Sequence, residues 1–82
     1  MNEFNQLFDT QDMGLAVALL SKGFEIGELE EPRYGSRVTF RFMDVTGLNE
    51  AAQEYWAGRL LVDAKSYWNE SKNLKTRLYS LK

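Results

Sequence analysis

The 82-residue chain has no histidine and no cysteine, a single proline, and no apolar run longer than Leu15 to Leu20. Without histidine or cysteine it lacks the side chains that most often shuttle protons near neutral pH, ligate zinc or serve as activated thiols. No disulfide can reinforce the fold, so stability must come from packing, near the size at which a single core is only just adequate. The six-residue apolar run falls far short of the roughly 20 residues a membrane-spanning helix needs. The opening Met1-Asn2-Glu3-Phe4-Asn5 has neither the basic nor the apolar region of an export signal, and the expected location is cytoplasmic.

Enzymatic chemistry would have to rest on carboxylates, lysines, tyrosines or hydroxyls. The sequence carries no phosphate-cradling glycine loop and no nucleophile elbow. The carboxylates Glu25, Glu28, Glu30 and Glu31, with Asp9 and Asp12, lack the alternating ligands and central glycine of a calcium loop. The expectation is a non-enzymatic protein with no catalytic residue, cofactor or metal.

What the chain does contain is 44% apolar residues, among them two Trp, four Tyr and five Phe, enough large side chains for an ordered core. No repeat or linker divides it, and 1–82 reads as one compact domain. The net charge of −2 is unevenly spread. Residues 1–31 set seven acids against Lys22 and residues 32–82 set nine cations against five acids, giving −6 and +4. Such asymmetry is a hint of polyanion binding or mimicry, in competition with ordinary surface pairing.

Residues 4–10 give a weak strand pattern, with Leu7 out of phase with Phe4 and Phe8. Thr10 or Asp12 can cap a helix over Met13 to Ser21 that is apolar on nearly every side, with Gly23 as its left-handed stop. Phe24 to Leu29 and Arg37 to Met43 read as a hairpin with a longer loop through Pro32 and Gly35, and Gly27 marks a possible bulge. Val38, Phe40 and Phe42 share one face of the second strand, and Arg37, Thr39, Arg41 and Met43 the other. Leu48, Ala51, Ala52, Tyr55 and Trp56 recur at helical spacing up to Gly58. Asp63 caps a last helix, with Val62 and Tyr67 placed as a hydrophobic staple. Its stripe of Ala64, Tyr67, Ser71, Leu74, Leu78 and Leu81 suits packing on the sheet better than a dimer seam.

The fold expected is α+β: a small antiparallel sheet of two or three strands, the hairpin plus an N-terminal strand, packed against three helices in the order β-α-β-β-α-α. Phe24, Ile26, Phe40 and Phe42 should meet Leu19, Tyr55, Trp56 and Leu74 in the core.

The order of these landmarks resembles a family of small uncharacterised proteins, a domain of unknown function found in bacteria and their phages. The resemblance rests on Phe8-Asp9-Thr10 with Asp12, the Leu15-Ala16-Val17-Ala18-Leu19-Leu20 helix, Lys22-Gly23-Phe24 and the Val38-Thr39-Phe40-Arg41-Phe42 strand. It continues through Tyr55 followed by Gly58, Val62-Asp63, and Leu74-Lys75 with Leu78-Tyr79. That family has no established activity, so the resemblance implies a fold rather than a function.

Four groups of residues are candidates for binding. Arg37 and Arg41 on the open strand face, with Arg33 and Tyr34 at the loop, have the chemistry to hold phosphates and stack bases, unless Glu25 and Glu28 pair with them. On the last helix, Lys65 and Lys72 share a flank while Arg77 lies elsewhere near Glu70, so Lys65, Lys72, Lys75, Arg77 and Lys82 form no single basic stripe. The acids Glu25, Glu28, Glu30 and Glu31 offer an electrostatic surface that can mimic nucleic acid toward a basic cleft. Trp68 lies off the core stripe and suits an interface anchor. The leading expectation is a protein-binding adaptor or inhibitor, encoded by a phage or mobile element and acting on a nucleic-acid-handling or defence complex. The alternatives are nucleic-acid binding through the arginine face and terminal lysines, and a homodimeric structural module. Monomer and homodimer both remain open, and no membrane association is expected.

Overall fold

A computed structural model describes residues 7–27, 29 and 38–80. Its elements run β1 (Leu7–Thr10), α1 (Met13–Ser21), β2 (Phe40–Met43), α2 (Leu48–Trp56) and α3 (Ala64–Ser80), an α+β arrangement in the order β-α-β-α-α. β1 and β2 form a two-stranded antiparallel sheet in which Leu7, Phe8, Asp9 and Thr10 face Met43, Phe42, Arg41 and Phe40 in turn.

This pairing makes the short N-terminal segment a true strand on one edge of β2, and the expected hairpin partner lies on the other edge. Among the described residues, the segment from Phe24 joins the sheet through one antiparallel bridge, Ile26 to Phe42. It lies along the edge of β2 opposite β1, and the Gly27 amide donates to the Arg41 carbonyl at 2.6 Å. Arg37 and the loop residues 30–36 lie outside the described residues.

The alternation of β2 decides which face is covered. Phe40 and Phe42 are buried, Arg41 is half-buried and Met43 exposed. Five consecutive residues of α1, Leu15 to Leu19, are buried. That is more than one turn of about 3.6 residues, so α1 must have neighbours all round. β1, α2 and α3 supply them. The core joins Leu15, Ala16, Val17 and Leu19 to Phe40, Phe42, Leu48, Ala51, Ala52 and Leu74. Phe24, Ile26 and Tyr55 pack against it while partly exposed. The last helix therefore packs mainly on α1, not on the sheet as its stripe suggested, and Leu74 is its one buried residue.

Both short helices end alike. After α1, the Gly23 amide donates to the Leu20 carbonyl and the Phe24 amide to that of Leu19. After α2, the Gly58 amide donates to Tyr55 and the Arg59 amide to Glu54. Each is a Schellman closure, which requires a left-handed residue, and Gly23 and Gly58 have φ of 98° and 78°. At the other end of α1, Asp12 Oδ1 accepts from the Leu15 amide while Thr10 Oγ1 accepts from the Asp12 amide. Asp12 is thus the cap and Thr10 its support.

Trp56 departs from the expected core. It is 56% exposed, with its ring tilted against Phe8 at 6.4 Å between centroids. On α2 it lies at the margin of the stripe of Leu48, Ala51, Ala52 and Tyr55, so it covers the rim of the sheet instead of entering beneath it.

Candidate functional site

Two faces carry the sequence-predicted residues that the structure describes. The first is the outer side of the sheet, where the register sets Leu7 beside Met43 and Asp9 beside Arg41. Arg41 Nε and Nη2 donate to the two Asp9 carboxylate oxygens at 2.9 and 3.0 Å, a bidentate ion pair. The side-chain hydrogen bond from Arg41 holds the Asp9 carboxyl below its ordinary value, against a smaller opposing effect of burial. Asp9 is thus a partner of this arginine beside the expected Glu25 and Glu28, of which Glu28 lies outside the described residues. Pairing with β1 brings Asp9 across the ladder, a proximity that no sequence spacing reveals. Its charge matched in this way, Arg41 offers less to a phosphate than an arginine-lined strand suggested.

The second face belongs to α3. Asp63 starts the helix by accepting from the Ser66 amide at 2.9 Å and the Ser66 hydroxyl at 3.0 Å, and these bonds lower the Asp63 carboxyl below its usual value. Once α3 is docked on α1 through Leu74, its rotation is fixed. At about 100° per residue, Lys65, Trp68, Lys72, Lys75 and Tyr79 fall within an arc of about 80° on the side away from Leu74. All five are exposed, Trp68 by 59% and Tyr79 by 71%. Lys72 Nζ stands 5.7 Å from the centroid of the Trp68 ring, within cation–π range. Glu70, the one carboxylate within α3, lies on the opposite side of the helix.

Three of the last helix's cations therefore do share a stripe. Arg77 departs from it to donate to the Gly27 carbonyl at 3.3 Å, tying α3 to the segment beside β2. The sequence set Lys65 and Lys72 on one flank and singled out Trp68 and Lys75, but these were not joined with Tyr79 into one face. The helical angle alone contained that signal, once the aromatics and lysines are read together.

The acidic group is divided by the fold. Asp9 is held by Arg41 and Asp12 caps α1, which leaves Glu25 exposed beside β2. Glu28, Glu30, Glu31, Arg33, Tyr34 and Arg37 lie outside the described residues. Of the stripe that would form a dimer seam, Leu74 is buried and Tyr67 and Leu78 pack against the core, while Ala64 is exposed and Leu81 lies outside the described residues.

The sequence profile of a domain of unknown function, DUF5659, matches residues 5–80. The chain belongs to the DUF5659 family. No curated protein and no solved structure matches it. The DUF5659 match runs past every element from β1 to the end of α3, so the lysine and tryptophan face is part of the family domain. Among the described residues, no helix is long and apolar enough to cross a membrane.

Proposed function

We propose that the protein is a non-enzymatic adaptor or inhibitor that acts by binding another protein, with the α3 face as its principal contact. The observation that carries this reading is the exposed Trp68 with Lys72 held over its ring. A large rigid aromatic left in solvent beside a cation has the character of an interface anchor. Leu7, Met43 and Val45 add exposed apolar area at the sheet. The missing histidine and cysteine favour binding over catalysis. The resemblance to proteins of bacteria and their phages extends the proposal to a phage or mobile-element product acting in the cytoplasm on a nucleic-acid-handling or defence complex.

The nucleic-acid reading is weakened at its centre because Asp9 neutralises Arg41. A dimer through the exposed α3 face would set the lysines of two copies against each other, which is unfavourable.

A photoreactive benzoylphenylalanine at position 68, compared with one at the exposed Asn73 on another side of α3, tests the proposal in cells of the organism of origin. The expected result is a discrete protein adduct from position 68 that is absent at 73. Equal labelling from both positions, or an adduct removed by nuclease, would reject it.

A further inference from the structure

The chemistry of the α3 face selects its partner more narrowly than protein binding in general. We infer that it receives a short acidic segment of a partner protein, with carboxylates meeting Lys65, Lys72 and Lys75 and an apolar or aromatic side chain lying on Trp68; this rests on the binding reading above. The three lysines are exposed and share their arc of the helix with no carboxylate of α3. Two exposed aromatics stand among them, so the face joins positive charge to apolar area. Lys72 is already held at the Trp68 ring, which places an ammonium group beside the site where an apolar side chain would lie.

Charge complementarity decides between a short acidic segment and a longer polyanion. The whole chain carries −2, so setting aside these three lysines leaves −5 for the rest. A nucleic-acid strand that ran past the stripe would meet this negative remainder, whereas nucleic-acid-binding domains are characteristically basic over a broad surface. From Lys65 to Tyr79 the face extends about 21 Å at 1.5 Å per residue. About six residues of extended chain cover that length at 3.3 Å each. A segment of that size takes up the stripe and leaves the acidic remainder uncovered.

The test uses the full chain carrying Trp56→Phe, which keeps an aromatic ring against Phe8 and makes Trp68 the only tryptophan. The probe is a synthetic decapeptide of glutamates around one central phenylalanine, with the lysine counterpart and a ten-residue oligo-dT as comparisons. A saturable change in Trp68 emission with the glutamate peptide is expected. It should weaken about tenfold or more in Lys72→Glu with Lys75→Glu, persist in Lys72→Arg with Lys75→Arg, and decline as salt is raised. Thermal melts that match the parent would show that these exposed changes leave the fold intact.

No saturable response to the glutamate peptide, equal binding by the charge-reversed variant, or tighter binding of oligo-dT would each overturn the inference. A protein adduct at position 68 alongside an inert glutamate peptide would sink the acidic segment while leaving protein binding in place. Loss of both the adduct and the peptide response would remove the two together.

Discussion

Asp9 and Arg41 are 32 positions apart, and their bidentate pair exists only because β1 and β2 register them opposite each other. The two side chains are 43% and 39% exposed, so solvent screens the attraction and the pair contributes between a few tenths and about 1 kcal/mol. Its pH dependence has a definite sign. The Asp9 carboxyl titrates below its ordinary value of 3.8 in the folded chain, so the folded state binds this proton less readily than the unfolded one. The stabilisation is complete above that ordinary value and disappears as pH falls through the lower folded value. Asp63, lowered by its bonds to Ser66, acts in the same direction. Asp9→Asn should therefore lower the melting temperature slightly at pH 7 and reduce its decline below pH of about 4. Melting curves from pH 2 to 7 for both proteins measure this, and identical acid slopes would show that the pair contributes nothing.

At the scale of elements, the contact between α1 and α2 turns on one missing side chain. A Cβ at Gly14 would collide with the Tyr55 hydroxyl, and Asp12 Oδ1 would lie only 3.3 Å away. The Tyr55 hydroxyl titrates above its ordinary value because of burial, with smaller contributions from Asp12 and Tyr67, in keeping with its position against the start of α1. Glycine within a helix ordinarily costs about 1 kcal/mol relative to alanine. Gly14→Ala should nonetheless destabilise the parent, because the Tyr55 side chain must leave its place against α1 to free the space. In a Tyr55→Phe background the same change should become neutral or stabilising by up to about 1 kcal/mol. Urea titrations of the four proteins give the coupling, and an equal effect of Gly14→Ala in both backgrounds would refute the close contact.

The helices were legible in the sequence because their ends are written in local chemistry: Asp12 and Asp63 as caps, Gly23 and Gly58 as left-handed stops. The strand pairing was less so. β1 has four residues and an exposed Leu7 that disturbs its alternation, while the segment beside β2 shows, among the described residues, one bridge at Ile26. Long-range register depends on how the phenylalanines of β2 meet α1, which no short window contains. The site shows the same division. Trp68 could be placed off the core stripe from helical spacing, but the direction of its face became clear only once α3 was docked on α1, and Asp9 emerged as Arg41's partner only with the ladder.

In the molecule as a whole, the residues that hold the fold and those proposed to bind are separate. Phe42 has no exposed surface and lies at the centre of the sheet, opposite Phe8 and bridged to Ile26. Removing its ring leaves a cavity bounded by three segments that cannot close together without losing strand pairing. Phe42→Ala should therefore cost about 3–5 kcal/mol. Domains are typically stable by only about 5–15 kcal/mol, and one of 82 residues without a disulfide belongs near the lower end. The variant should unfold at a much lower urea concentration. Trp68→Ala removes a side chain of similar bulk from an exposed position, where substitutions usually change stability by within about 0.5 kcal/mol. Its urea midpoint should stay near that of the parent while adduct formation on the α3 face is lost. A Trp68→Ala protein as unstable as Phe42→Ala would mean that the tryptophan supports the core, and the division between folding residues and binding residues would fail.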